Sequence, residues 1–262
     1  MIPLGCNMYV VLKVQNGNGS RLVIVFLLLN SEEYQLRLPA HWICNIMGTL
    51  KNERLEDKKM SRLSVVLPAY NEELMVGKTC RVLHEVLAEA GISYELVVVD
   101  DGSKDKTWEE ITKAGEKDGN VLGVHFSRNF GKEAAVYAGM AQATGDVVAG
   151  MDCDLQYPPE TLISMYHLWE QGWEVIEGVK KSRGTESLLH KESAGFFYGI
   201  MSKATGVNMQ NASDFKMMDR KAVNSILSMP ERNMFYRATS SWVGFKTTYV
   251  EFEVRDREAG QS

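Results

Sequence analysis

No apolar run in the sequence is long enough to cross a bilayer. The longest is Leu22–Leu29, eight residues, and a spanning helix needs about 20. Cysteine is scarce: Cys6, Cys44, Cys80 and Cys153 form no C-x-x-C pair and no zinc spacing. That excludes a disulfide framework, and a reduced, cytoplasmic setting is expected. There is no excess of positive charge, with 29 Lys plus Arg against 34 Asp plus Glu and a net charge of −5. A chain that held duplex DNA by counterion release would be basic, so no nucleic-acid partner is expected. G-x-x-x-x-G-K-[ST] and G-x-G-x-x-G are both missing, which counts against P-loop NTPases and dinucleotide oxidoreductases. The N-terminus lacks the basic, apolar and cleavage regions of a signal peptide, so the sequons at Asn18 and Asn211 are not expected to be glycosylated. The five histidines form no ligand spacing and receive no role.

What is present is an ordinary globular composition: 262 residues, 45% hydrophobic and 24% charged. Residues 1–59 read differently from the rest. They hold Leu22–Leu29, Leu36–Pro39 and the charged stretch Lys51–Lys59, and no helical or strand period persists. Met60 stands directly before a clear strand. The segment 1–59 is therefore taken as an extension of unknown role, or a misassigned start, with an extra strand and helix packed on the domain as the alternative, and 60–262 as the functional domain.

From Met60 strands and helices alternate. Leu63–Leu67 is a short apolar, β-branched run, Glu95–Val99 predicts a second, buried strand, and Val121–Phe126, Asp146–Met151 and Trp173–Gly178 read as further strands. Asn71 is expected to cap a helix through about Ala90, with Met75, Val82, Val86 and Ala90 near one face. Thr107–Lys117 and Lys132–Thr144 predict helices, and Pro158-Pro159 opens another. Lys180–Ser193 reads as a loop. Ser193–Ala204, Arg220–Ser228 and Asn233–Val243 read as helices, and Val250, Phe252 and Val254 as a half-exposed strand. Met217, Met218, Trp242 and Phe245 are expected in the core. The alternation predicts an α/β fold, an open and mostly parallel sheet with helices on both faces.

In such sheets ligands gather beyond the carboxyl ends of the strands, and this chain repeatedly places unusual polar residues there. The first strand ends in Pro68-Ala69-Tyr70-Asn71-Glu72, the second in Asp100-Asp101-Gly102-Ser103. The third leads to Gly131-Lys132, and the fourth to Asp152-Cys153-Asp154. Any one of these suits a turn; four at one edge point to a site. Asp152 and Asp154, two apart, point the same way in an extended segment. Two like charges so close call for a cation, and hard oxygens suit Mg²⁺ or Mn²⁺, with Gln156 as a further neutral oxygen. A carboxylate of Asp100 or Asp101 can accept from a base N–H or a ribose hydroxyl, or it can close an Asx-turn beside Gly102. Lys132 at a helix start favours an anion. Read alone, Asp214 suits a helix cap, and Arg255 with Arg257 a solvated strand edge.

Taken in order, PAYNE (68–72), VVDDGS (98–103), SRNFGKEAA (127–135), DCDLQYPPE (152–160), SDFKMMDRKAV (213–223) and ERNMF…WVGF (231–245) resemble family 2 glycosyltransferases of GT-A fold. The polyprenyl-phosphate group, bactoprenol glucosyltransferase and dolichol-phosphate mannosyltransferase, is the nearest in kind. The resemblance covers about residues 61–262 and implies a Rossmann-like GT-A domain. It implies that Pro68, Ala69, Tyr70, Glu72 and Asp101 line the nucleotide pocket with Asp100 nearby, and that Asp152 contacts ribose or sugar. Asp154 and Gln156 would hold Mg²⁺ or Mn²⁺ on the donor pyrophosphate. Asp214 would lie at the reaction centre, Lys180 and Lys216 would stand where relatives carry arginine, and Arg255 and Arg257 would meet a lipid phosphate. The expected reaction is inverting transfer of a hexose, glucose from UDP-glucose, to a polyprenyl phosphate at the inner face of the cell membrane. A GDP-mannose donor, a non-lipid glycan acceptor and a non-catalytic nucleotide-sugar-binding module are the alternatives, and a homo-oligomer is left open. Relatives of this group continue into an amphipathic segment and transmembrane helices, so the chain is expected to end, at Ser262, before its membrane attachment.

Overall fold

Val65-Val66-Leu67 and Val97-Val98-Val99 are β-branched or apolar at every position, as strands covered on both faces must be. All six side chains are fully buried. The computed structural model describes residues 8–16, 19–27, 61–181, 213–229, 236 and 244–256. Its strands are β1 (Met8–Asn16), β2 (Gly19–Leu27), β3 (Arg62–Ala69), β4 (Ser93–Asp100), β5 (Val121–His125), β6 (Val147–Gly150), β7 (Val175–Lys180), β8 (Lys216–Asp219) and β9 (Thr247–Phe252). Its helices are α1 (Val76–Glu89), α2 (Thr107–Lys117), α3 (Lys132–Gln142), α4 (Glu160–Glu170) and α5 (Arg220–Leu227).

The strands form one sheet in the order β2-β1-β5-β4-β3-β6-β8-β7-β9. β5, β4, β3 and β6 run parallel, β8 is antiparallel to both β6 and β7, and β9 is parallel to β7. One face packs on α1, α2 and α4 through Leu83, Leu87, Ile111, Leu162 and Met165. The other packs on α3 and α5 through Val136, Met140, Val223 and Ile226. Helices thus cover both faces, as the alternation predicts. Met217 and Met218 are fully buried, and Phe245 packs against the second cluster.

Three expectations are corrected. Asn71 does not cap α1: the helix starts at Val76, and Asn71 sits in the left-handed region (φ 55°) with Oδ1 accepting from the Lys104 N–H at 2.9 Å. The buried stripe of α1 is Val76, Thr79, Cys80, Leu83 and Leu87, one position round from the predicted face, with Ala90 exposed. Residues 8–27 do contain strands, an antiparallel hairpin in which Gln15 of β1 lies beside Gly123 of β5. Met8–Leu12 and Leu22–Leu27 are apolar without alternation, so a period-two pattern does not register them. The predicted helix at 193–204, all of the one at 233–243 except Tyr236, and nearly all of the 180–193 loop lie outside the described residues, as does Trp242.

Candidate active site

Because β3, β4, β5 and β6 are parallel, their carboxyl ends open on one edge of the sheet. The loop after β3 is zipped to the loop after β4. The Asn71 N–H donates to Ser103 Oγ (2.8 Å), the Glu72 N–H to Thr107 Oγ1 (2.8 Å), and the Lys106 N–H to Glu73 Oε2 (3.0 Å). Asp105 accepts from the Thr107 and Glu73 N–H groups, which fixes the start of α2 against the same loop.

The two aspartates of the DDGS turn divide their work. Asp100 is fully buried; Oδ1 accepts from the Ser103 N–H (3.0 Å) and Oδ2 lies 2.7 Å from His125 Nδ1. Both its oxygens serve the fold, the Asx-turn alternative for one of the two aspartates, and His125 gains a structural part. Asp101 reaches the other way. It accepts from the Phe130 N–H (2.7 Å) and the Gly131 N–H (2.9 Å), and so hangs the 127–131 loop on β4. Burial raises its carboxyl above the ordinary range, against those two hydrogen bonds. Gly102 makes the junction sterically feasible. It has φ +66°, and an added Cβ would lie 2.2 Å from the Arg128 carbonyl carbon.

These loops enclose a cleft of about 490 Å³ lined by Pro68, Ala69, Tyr70, Glu72, Asp101, Asn129, Gly131, Lys132, Asp152, Cys153 and Asp154. Lys132, at the start of α3, places Nζ 2.8 and 2.9 Å from the two oxygens of Asp152 and 3.2 Å from Asp214 Oδ2. Burial alone would lower the lysine's pKa, but the two carboxylates outweigh it and the net shift is upward. Asp152 is itself pushed up by burial, with Asp154 and Asp214 adding repulsion that Lys132 opposes. Asp154 is buried, and its Oδ1 accepts from the Gln156 N–H at 3.1 Å. Between them Leu155 is held at φ 56°, a strained conformation for a branched side chain. Tyr157 stacks on Phe215 with centroids 4.8 Å apart, which joins the Asp152–Asp154 loop to the segment bearing Asp214.

The structure thus brings together Pro68, Ala69, Tyr70, Glu72, Asp101, Lys132, Asp152, Asp154 and Asp214, with Gln156 beside them. It does not bring Lys180, which stands exposed at the end of β7. Arg255 pairs with Glu160 at 2.9 Å, and its N–H donates to the Gln156 carbonyl at 3.0 Å, so it borders the loop without entering the cleft. Arg257 lies outside the described residues. Lys216 is fully buried, 3.2 Å from Glu177 Oε1. Its ammonium is engaged inside the fold, at the Glu177 carboxylate and the Tyr236 carbonyl, and is not among the groups lining the cleft. Sequence reasoning passed over Glu177, although a lone acid within the apolar run 175–179 signals a buried partner.

Residues 64–227 match the family described as Glycosyl transferase family 2. The chain belongs to that family. Its relatives include an uncharacterized glycosyltransferase of Bacillus subtilis, 40% identical over 76% of this chain and 62% of its own length. A prophage bactoprenol glucosyl transferase homolog of Escherichia coli is 35% identical over 77% of this chain and 66% of its own length. The chain thus spans a little under two thirds of the first of these relatives. Among solved structures, glucosyl-3-phosphoglycerate synthase of Mycobacterium tuberculosis, in complex with Mn²⁺, UDP-glucose and phosphoglyceric acid, superposes with a TM-score of 0.53 at 20% identity. The overlap covers 80% of this chain and 79% of that one, and bears out the GT-A fold.

Proposed function

We propose that this chain transfers a hexose, glucose from UDP-glucose, to a polyprenyl phosphate at a membrane surface, with inversion at the anomeric carbon. The observation that carries this reading is the convergence of Asp152, Asp154, Asp214 and Lys132 at one cleft beyond the parallel strands. The bactoprenol name of the 35% identical relatives supports the lipid acceptor.

The residues fit a divalent cation that arrives with its nucleotide. Among the described residues no three acids or histidines are set to hold a metal. Asp152 and Asp154 nevertheless offer hard oxygens, and Mg²⁺ is usually held by one or two carboxylates plus substrate phosphates. Asp154 and Gln156 would hold it, and when bound it would offset charge on the departing nucleoside diphosphate. Tyr70 and Asp101 border the space for the nucleoside. Lys132 supplies a cation for the diphosphate at the amino end of α3. A lipid monophosphate has a second pKa near about 6 and is largely dianionic at neutral pH, so it needs little help from a base. Asp214 accordingly positions the acceptor rather than removing a proton.

The test supplies UDP-[¹⁴C]glucose, Mn²⁺ and polyprenyl phosphate in detergent. Label in the organic phase, lost in Asp154→Ala, is the expected result. Label only in a water-soluble glycan, or nucleotide binding without turnover, would overturn the acceptor or the activity. Stronger thermal stabilisation by GDP than by UDP, each with Mn²⁺, would overturn the donor. A pH–rate profile with an ionisation that disappears in Asp214→Asn would contradict the positioning role.

A further inference from the structure

Glu177 of β7 and Lys216 of β8 stand directly opposite each other in the antiparallel register, both essentially inaccessible to solvent. Taking two charges out of water is costly, and an apolar pair of similar volume is often as stable or more so. A buried pair of this kind is therefore poor support for stability, and its neighbours show what else it holds. Glu177 Oε1 lies 3.2 Å from Lys216 Nζ, while Oε2 accepts from the Ser213 N–H at 3.2 Å. Lys216 Nζ also donates to the Tyr236 carbonyl (3.3 Å) and lies 4.8 Å from that ring's centroid. The Ser213 Oγ in turn accepts from the Phe215 N–H at 3.1 Å. On the far side of β8, Gly150 of β6 pairs with Lys216, and a Cβ there would come within 2.8 Å of Tyr236 Oη. Asp214 is the residue between these anchors. Its backbone is tied on one side through Ser213 to Glu177 and continues on the other into Lys216, while its carboxylate points to Lys132.

We propose that Glu177 and Lys216 are positioning residues. They form a buried ionic clamp that sets Asp214 against Lys132 and the cleft, and Tyr236 is drawn into the same clamp. The proposal rests on the reading that Asp214 works at the reaction centre.

The decisive variant is Glu177→Gln/Lys216→Met, which removes both charges of the pair together at near-constant volume. It is expected to bind UDP–Mn²⁺ within about twofold of the parent, with unchanged donor KM, while kcat falls about tenfold or more. Lys216→Arg, which keeps the cation, is expected to retain a kcat about fivefold above that of Lys216→Met. On an Asp214→Asn background the double substitution should cost less than about twofold further, because residues acting through one another are not additive. An undiminished kcat in the double variant, a fall matched by equal loss of UDP–Mn²⁺ affinity, or additive losses with Asp214→Asn would each overturn the clamp. If the double variant does not fold, Glu177→Asp, which shortens the reach by one methylene, is read by the same three measurements. Full activity in Asp214→Asn alone would instead overturn the reading of Asp214. An inactive Asp214→Asn beside an unimpaired double variant overturns only the clamp.

Discussion

Gly102 meets the backbone of Arg128 so closely that no side-chain carbon fits between them; a Cβ would lie 2.2 Å from one atom and 2.6 Å from two more. The clash is with backbone and cannot be relieved by a rotamer change. With φ at +66° the position is also strained for any other residue. Gly102→Ala is therefore expected to cost about 2–4 kcal/mol and to displace the 127–131 loop. Thermal unfolding should show the loss, and calorimetric UDP–Mn²⁺ binding should weaken about tenfold or more, because Asp101 and Lys132 shift together.

Asp105 titrates in a predictable direction. Burial alone would raise its pKa, but the Thr107 hydroxyl and the Thr107 and Glu73 N–H groups all donate to its carboxylate, and the net shift is downward from 3.8. The ionised form is thus favoured by folding. Its contribution is present above the unfolded value of 3.8 and is lost as pH falls through the depressed folded value. Asp105→Asn should lower stability by about 1 kcal/mol at neutral pH. The gap between the two melting curves should close below pH 3.8. A gap that stayed constant down to pH 2 would contradict this assignment.

The parallel half of the sheet was legible because its strands are covered on both faces. The runs 63–67 and 95–99 have no polar alternation to confuse them. The clustering of the D-x-D pair, Lys132 and the DDGS turn was legible because parallel strands bring their carboxyl ends to one edge, so polar residues that end them converge. What failed did so for tertiary reasons. Asn71 has the chemistry of a helix cap but bonds across to Lys104, a partner 33 residues away. Asp100 and Asp101 are equivalent in sequence, and only the course of the 125–131 segment decides which faces the cleft. Lys216 carries the charge of a phosphate ligand, and only the register of β7 against β8 reveals that Glu177 already holds it.

Glu95 offers a contrast with the site acids. It is buried near the amino end of β4, and it accepts from Ser64 Oγ (2.6 Å), the Thr144 N–H (2.6 Å) and the Gly145 N–H (3.2 Å). Arg62 lies 3.5 Å from its other oxygen. Glu95→Gln replaces one acceptor oxygen with a donor among donors, and is expected to destabilise by about 3 kcal/mol. In a domain of this size that lowers Tm by roughly 6–12 °C. UDP–Mn²⁺ affinity at 20 °C should stay within about twofold, since the cleft lies at the opposite edge of the sheet.

Lys132 separates two acids that would otherwise repel. Lys132→Met leaves Asp152 and Asp214 without their shared cation and removes a positive charge from the cleft. A fall of about 10²–10³ in kcat/KM for UDP-glucose is expected. Steady-state kinetics at fixed Mn²⁺ would check it. A loss confined to acceptor KM would show that the lysine does not face the donor.

The antiparallel insertion of β8 has a consequence for how the protein is made. β6, the strand that leads into Asp152 and Asp154, pairs with β3 on one side and with β8 on the other, and β7 never touches it directly. A ribosome adding about 5–20 residues per second needs roughly 3–14 s to extend from β6 to the end of β8. Throughout that interval β6 presents a bare backbone edge, the kind of edge that recruits stray strands. Chaperone demand during synthesis should therefore rise with the number of residues that separate β6 from β8.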